Sequence, residues 1–392
     1  DEVLSLGAQP PANSLIDAHQ EDGIGEVPLT LCICPECGVA QLRETLDPTF
    51  LFSRYTWVTG TGAATKAFSL EFESLLRSTL GFYVNVLEFA SNDGTFLKPF
   101  QKRASLALGV EPAKNIADIA IANGCETVYG FYNKEIAQAI KDKYAADFDV
   151  IFGRNVVAHV DKHEEIARAV DINLSSTGCL VVEVHDGLKV LDETQYDSIY
   201  HEHIFYHTLD SLTQVFAFIG LRPFHVVEGP LSGGSLIIFL DRCQRPIKET
   251  VKLRQAAESR ARLKECETWL RFARRVGLHA AKLTKIIDNY SGNVFAFGQS
   301  ARGTVLLHNS GLNRDRIKGV IDNSALKQGK TIPGLDLKIV SLESVAQSLK
   351  DAEAILLLAW NFEAEIKCQL KELGFRGDLV VPFPNLVVKS VQ

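Results

Sequence analysis

Val84-Asn85-Val86-Leu87-Glu88-Phe89-Ala90, running into Ser91-Asn92-Asp93-Gly94, is the stretch on which the reading of the fold turns. A short apolar run rich in β-branched residues and closed by small, turn-forming polar ones predicts a buried strand opening onto a loop. The helical pattern of Phe68 to Leu80 precedes it, and three similar runs follow: Leu106–Glu111, Phe148–Gly153 and Cys179–Val184. Strands alternating with helical segments predict an α/β fold with a parallel, doubly wound sheet. A second such series begins at Asn293–Gly298 and continues through Gly319–Asp322 and Ala354–Ala359. Residues 247–287 are charged and periodic, which predicts a long helix whose charge is a solvated face. The first 65 residues are poor in helical periodicity and rich in turn signals such as Gln9-Pro10-Pro11 and Thr59-Gly60-Thr61-Gly62, so a small irregular module is expected there. The domain expectation is therefore 1–65, 66–245, a connecting helix 246–287, and a second Rossmann-like α/β domain 288–392.

Composition limits the function classes. With 392 residues, 46% hydrophobic and 23% charged, the chain resembles ordinary globular proteins of more than one domain. The net charge of −7 comes without a basic run or a basic-aromatic stripe, so no nucleic-acid partner is expected. No apolar stretch is long enough to span a membrane, and the start, Asp1-Glu2-Val3-Leu4-Ser5, has no leader pattern. The eight cysteines form no disulfide framework: Cys32, Cys34 and Cys37 cluster and the rest are scattered. That pattern suits a reducing cytoplasm and one metal half-site.

Open α/β sheets bind ligands beyond the carboxyl ends of their strands, which is where Ala90, Ser91, Asn92, Asp93 and Gly94 fall. Small residues let a ligand approach the backbone, and Asp93 can accept from an amine or hydroxyl. Glu111, ending the next strand before Pro112, is placed to hold two ribose hydroxyls. That carboxylate suits a nicotinamide dinucleotide and S-adenosylmethionine equally. The first loop separates them. A dinucleotide needs a Gly-x-Gly-x-x-Gly turn for its pyrophosphate, whereas this loop has one glycine and the carboxylates of Glu88 and Asp93, which suit a sulfonium and an ammonium. Asn155, at the next strand end, is a candidate cofactor contact. Phe131 is a candidate for lying along an adenine, although a core role fits it nearly as well.

Tyr200-His201-Glu202-His203 packs a phenol, a carboxyl and two imidazoles into consecutive positions. These are the groups that move protons near neutral pH. Taken alone, the cluster also reads as a metal site or a solvated polar turn.

The chain as a whole resembles the S-adenosylmethionine-dependent sugar C-methyltransferases that act on nucleotide-linked 4-keto-deoxysugars. The resemblance rests on Glu88–Gly94, Gly109–Ala117, Asn155–Val160, Asp197–His203, Gly233–Leu236, Phe297–Gly303, Lys327–Lys330, Ala359–Asn361 and Pro382–Pro384. It implies a zinc-binding N-terminal module, a central cofactor domain and a C-terminal Rossmann-like domain that holds the nucleotide sugar, expected to be dTDP-linked. It further implies methylation of a carbon, C3, beside the keto group. His203 would be the base, Glu202 would orient an imidazole or touch the sugar, Tyr200 and His159 would donate to the enolate oxygen, and Tyr55 would close over the sugar. Without the resemblance, His159 and Tyr55 read as core residues. His201, Gly234, Ser235, Gly298, Ser300, Arg302, Gly303, Trp360 and Asn361 are the expected substrate contacts, with Arg302 and the 298–303 amides suited to a pyrophosphate. The alternative for that loop is a decayed Rossmann repeat serving only as scaffold. A cytoplasmic monomer or homodimer is expected.

Departures from the family pattern sharpen the expectations. Leu6–Asn13 matches the family, but no Cys-x-x-Cys precedes it; only Cys34-Pro35-Glu36-Cys37 is present. The chain has no methionine and opens as if inside a small domain, which points to a truncated or processed start. In that case Cys34 and Cys37 would be two ligands of a Cys₄ zinc site; a complete chain would need substitutes such as Cys32 or His19. Ser232 stands where the family commonly has His, and His185-Asp186 where it usually has Pro. Both bear on substrate identity. The alternatives carried forward are a methyltransferase of the same fold acting on another carbon acid or on N or O, and a non-catalytic nucleotide-sugar-binding protein.

Overall fold

A computed structural model describes residues 1–17, 25–52, 57–231, 233–242 and 245–391. Two compact units emerge: residues 46–186 with 205–261, and residues 1–45 with 187–204 and 262–392.

The first unit is built on a seven-stranded sheet. Its order is Arg222–Gly229, Ser235–Asp241, Leu174–His185, Phe148–Arg154, Asn85–Phe89, Leu106–Glu111, Glu126–Tyr129. Five strands are parallel, and Ser235–Asp241 runs antiparallel against Leu174–His185, with Leu236 opposite Val184. The expected doubly wound sheet is present. Asn85–Phe89, like its neighbours, has buried apolar residues on both faces: Val86, Leu87 and Phe89 are all inside. Three further strands lie outside the expected set. Glu126–Tyr129 is an edge strand with no buried residue, so its sequence carries no apolar run to read.

One face of this sheet is packed by Phe68, Phe72 and Leu76 of the helix Ala63–Leu80. Phe72 is fully buried and meets Phe96 edge-on at 5.8 Å and Phe152 at 5.4 Å. The other face packs Leu87, Leu108, Ile151, Val182 and Ile238 against helices that include His163–Asn173.

The second unit joins both ends of the chain. Its own seven-stranded sheet has the order Thr331–Ile332, Leu337–Val340, Val320–Ile321, Asn293–Phe297, Ala352–Leu357, Asp378–Val381, Val387–Ser390, parallel in the middle and antiparallel at both edges. The N-terminal module, expected to be irregular, is an antiparallel sheet of Glu2–Gln9, Val27–Ile33 and Ala40–Leu42. Register irregularities in Glu2–Gln9, between Glu2 and Leu4 and between Ser5 and Ala8, break the period of two that would have revealed it. This module docks on the C-terminal segments through a bridge between Ile16 and Thr331 and a bond from Thr304 Oγ1 to the Ala12 carbonyl, 3.3 Å.

The single helix expected over 247–287 is two, Glu249–Ala261 and Cys266–Asp288. Arg262 takes a positive φ of 54°, and the Trp269 indole N–H donates to the Leu263 carbonyl at 2.8 Å, which fixes the break. Residues 187–204, expected inside the central domain, group with the terminal unit. Among the described residues no helix is long and apolar enough to cross a membrane.

Truncating Phe72 to Ala should lower stability by about 3–5 kcal/mol, read from urea denaturation, because a filled aromatic cluster would become a cavity.

Candidate active site

The 90–94 loop leaves its strand at the topological switch point, where Asn85–Phe89 is flanked by Leu106–Glu111 on one side and Phe148–Arg154 on the other. Ala90 and Asn92 hold positive φ values of 52° and 49°, which turns the chain sharply over the strand end. The loop is pinned from three directions. Ser91 N–H donates to the Val110 carbonyl, and Asn92 N–H to Glu111 Oε2 at 2.8 Å. The other Glu111 oxygen accepts from Ala113 N–H at 2.9 Å. Burial raises the Glu111 carboxyl above its usual range, and the two amides work against that rise. Asp93 Oδ2 accepts from Gly60 N–H at 3.0 Å, and Asn92 Oδ1 from Thr59 N–H at 2.9 Å. Trp57–Gly60, which overlaps the Thr59–Gly62 turn signal, is therefore a strap across the loop.

Gly94 serves packing more than ligand approach, because a Cβ there would overlap the Cys125 sulfur. Pro112 is half-buried behind Glu111. Phe131 follows the neighbouring edge strand and is 42% exposed, which removes the core alternative for it. Asn155 has a positive φ of 49° and donates its N–H to the Glu183 carbonyl at 2.7 Å. His159 ends the short turn Val157–His159 just beyond, half-buried on the same edge. Beneath the loop, Arg154 bonds the buried Glu183 at 2.5 Å and lies 3.3 Å over the Phe96 ring. Glu183 also accepts from the Ser235 hydroxyl at 2.6 Å, so Ser235, expected to touch substrate, closes a buried carboxylate. The Gly234 carbonyl accepts from Asp186 N–H, 3.3 Å. Asp186 is fully buried and takes a two-pronged bond from Arg254 at 2.8 and 2.5 Å.

In the terminal unit, the Tyr200–His203 segment is bound by its neighbours at each side chain. The Tyr200 hydroxyl and His203 Nε2 are 2.7 Å apart, with rings 4.2 Å centre to centre. Glu202 Oε1 accepts from the Asn13 amide at 2.6 Å. Burial pushes the Glu202 carboxyl up to about 7, with the Asn13 bond opposing. His201, expected to contact substrate, instead donates Nε2–H to the Val27 and Pro28 carbonyls, 3.1 and 3.3 Å away, and ties the segment to the N-terminal sheet. Asn13 is a residue that sequence reasoning passed over; it lay inside a matching motif but carries no proton chemistry of its own.

The 298–303 loop differs most from expectation. A Cβ at Gly298 would overlap Ala359, and one at Gly303 would press on Leu358, so both glycines answer close packing. Ser300 caps the helix Ala301–Asn309 by accepting from Gly303 N–H at 3.1 Å. The Arg302 guanidinium, expected to meet a pyrophosphate, is engaged two-pronged by Asp197. The Trp360 indole donates to the same carboxylate at 2.9 Å, and Asn361 stands exposed beside it. Tyr55, His19 and Ser232 lie outside the described residues.

Cys34 and Cys37 face each other across a tight turn, with Gly38 N–H donating to the Cys34 carbonyl at 2.9 Å and Gly38 at φ 74°. The amides of Cys37 and Glu36 hold the Cys34 thiol below its usual range. Cys32 sits instead beside the chain's amino group and Arg43. Among the described residues no group of three metal ligands comes together.

Three family models match the chain in succession. One is described as a putative zinc binding domain (residues 1–52), one as a methyltransferase domain (61–226) and one as a C-methyltransferase C-terminal domain (230–384). The chain is also 30% identical to C-methyltransferase NovU of Streptomyces niveus, over all of its own length and 94% of that protein. This chain belongs to the S-adenosylmethionine-dependent C-methyltransferase family.

Among solved structures, it is similar to magnesium protoporphyrin IX methyltransferase from Synechocystis with bound S-adenosylmethionine. The identity there is 12%, covering 45% of this chain and 79% of that one, with a TM-score of 0.33. DesVI of Streptomyces venezuelae is 18% identical over 46% of this chain and 93% of its own, with a TM-score of 0.36. Scores this low add nothing to the strand order described above.

S-adenosylmethionine fits the residues of this C-methyltransferase. Glu88 Oε2 and Ser91 Oγ are buried without a partner among the described residues, at the strand end where a cationic, hydroxyl-rich ligand would meet them. Burial pushes the Glu88 carboxyl well up, with Arg154 opposing, so a bound cation would favour its charged form. Glu88, the 90–94 loop, Glu111, Phe131 and Asn155 are the residues that would hold the cofactor. Zinc fits only in part, since two thiols are half of a tetrahedral set. A metal there would brace the turn.

Two outcomes follow from this geometry. Replacing Glu111 by Gln removes the charged acceptor and should weaken S-adenosylmethionine binding roughly 10- to 100-fold by calorimetry. The folded-state value of Glu202 lies above that of a free carboxyl, so its protonated form stabilises the fold at low pH. That contribution fades as pH rises from about 4.5 to about 7. Glu202→Gln should flatten this part of the stability–pH curve in denaturant titrations, by an amount on the order of 3 kcal/mol.

Proposed function

We propose that this C-methyltransferase methylates C3, next to the keto group, of a nucleotide-diphosphate 4-keto-deoxysugar, by way of an enolate. The pairing of the Tyr200 hydroxyl with His203 Nε2 at 2.7 Å carries the reading. An enolisable ketone asks for one acceptor to take the proton from carbon and one donor to meet the oxygen that becomes negative. A phenol and an imidazole already in contact are such a pair, and they satisfy each other when no substrate is bound. Glu202, buried and bonded to the Asn13 amide, is proposed to orient an imidazole or touch the sugar. His159 and Tyr55 are proposed as further donors or contacts to the sugar. S-adenosylmethionine supplies an electrophilic methyl group for the carbon so activated.

Transfer to oxygen or nitrogen would need only deprotonation of the heteroatom, which makes the enolate-forming pair the feature that favours carbon. The family resemblance supports a dTDP-linked sugar. The N-terminus of the helix Ala301–Asn309 is the proposed seat of its diphosphate, through backbone dipoles.

The test is proton exchange without methyl transfer. In deuterated water, with a panel of dTDP-4-ketosugars and no S-adenosylmethionine, the enzyme should introduce deuterium beside the ketone. His203→Ala should slow this by about 100- to 10,000-fold. A wild-type enzyme that exchanges nothing in any of these sugars would overturn the enolate reading.

A further inference from the structure

We propose that Asp197, Arg302 and Trp360 form a positioning clamp that holds Tyr200 and His203 in their mutual geometry for proton abstraction. This rests on the acid–base role given to those two residues above. None of the three clamp residues is placed in contact with substrate.

Asp197 lies in the short turn Tyr196–Ser198 and is 1% exposed. A carboxylate so buried must be answered by donors. Arg302 supplies Nε to Oδ2 at 2.9 Å and Nη2 to Oδ1 at 2.8 Å, a two-pronged fit that fixes direction as well as distance. The Trp360 indole N–H donates to Oδ2 at 2.9 Å, and the guanidinium lies 4.8 Å from the centre of the Trp360 ring. Arg302 Nη2 also reaches Gln195 Oε1 at 3.1 Å. Arg302 stands in the first turn of its helix, where the helix dipole disfavours a cation. Its placement there makes sense once Asp197 is counted, because the carboxylate neutralises the guanidinium.

The opposite side of the same turn is fixed as well. Tyr196 is fully buried, edge-on to Phe383 at 5.4 Å, and its hydroxyl donates to His279 Nδ1 at 3.1 Å. His279 donates its other nitrogen to the Pro382 carbonyl at 2.9 Å and stacks on Phe383 at 4.7 Å. From this turn the chain has little slack. Ile199 N–H donates to the Tyr196 carbonyl at 3.0 Å, Ile199 is fully buried, and His203 N–H donates to the Tyr200 carbonyl at 2.8 Å. A shift at Asp197 is thus passed directly to the catalytic pair. Misplacement by about 1 Å can cost on the order of 100-fold in rate.

The experiment compares wild type with Arg302→Lys, which keeps the charge and loses the fork, and Trp360→Phe, which keeps a ring and loses the N–H. Four quantities are read on the full chain: deuterium exchange into a dTDP-4-ketosugar with its kcat and KM, S-adenosylmethionine affinity, Tm, and the His203 Nε2 resonance by nitrogen NMR, assigned with His203→Gln. Arg302→Lys should lower the exchange kcat about 10- to 100-fold, and Trp360→Phe about 3- to 10-fold, with KM and cofactor affinity nearly unchanged. Both should move the His203 resonance. A large rise in KM at constant kcat would overturn the clamp and return Arg302 to the substrate diphosphate. A lower Tm with the resonance and kcat unmoved would overturn it in favour of a merely structural ion pair. Should the wild type fail to exchange any ketosugar, the reaction assigned above fails, while the His203 resonance in the variants still decides whether the clamp sets the pair.

Discussion

A carboxylate taken out of water must be met by fixed donors, and this constraint shapes both units of the protein. Glu111 is met by the amides of Asn92 and Ala113, Glu183 by Arg154 and Ser235, Asp186 by Arg254, Asp197 by Arg302 and Trp360, and Glu202 by Asn13. Each answer joins a strand end or a turn to a distant part of the chain. The buried acids therefore work as fasteners, and they fall where the chemistry is placed.

The two kinds of chemistry are prepared differently. On the cofactor edge, backbone geometry does most of the work. Positive φ values at Ala90 and Asn92, amide bonds to Glu111 and the Trp57–Gly60 strap shape a loop that leaves Glu88 Oε2 and Ser91 Oγ without a partner among the described residues. Around Tyr200–His203, side chains do the work instead. His201 anchors the segment to the N-terminal sheet and Glu202 to Asn13 of the same module, while Asp197 anchors its base to the helix Ala301–Asn309 and to Trp360. The N-terminal module thus holds the Tyr200–His203 segment through Asn13 and the Val27 and Pro28 carbonyls.

Much of this was legible in the sequence where a residue's chemistry and its place along a strand coincide. Leu106–Glu111 reads as a strand and is one, with the Glu111 carboxylate at its end. The Tyr200–His203 cluster reads from its residue types as acid–base equipment, a metal site or a polar turn; the structure brings Tyr200 and His203 together and spends His201 on backbone carbonyls. Legibility failed where a residue's role depends on what lies opposite. Arg302 on a glycine-bearing loop reads as an anion site, and only the facing Asp197 shows which anion it meets. Gly298 and Gly303 read as phosphate-loop glycines but are required by Ala359 and Leu358. The N-terminal strands were hidden by register irregularities, and the break at Arg262 by a charge pattern that continues across it.

By itself the sequence determined the fold class, because apolar periodicity and local turn chemistry are properties of neighbouring residues, and its motifs carried the resemblance to the family. Only the tertiary structure decided which polar groups are spent on one another: Ser235 on Glu183, His201 on the Val27 and Pro28 carbonyls, Arg302 on Asp197. The reason is physical. A donor's partner is set by desolvation and distance in three dimensions, and residues more than a hundred positions apart, such as Asp197 and Arg302, carry no local sign that they will meet.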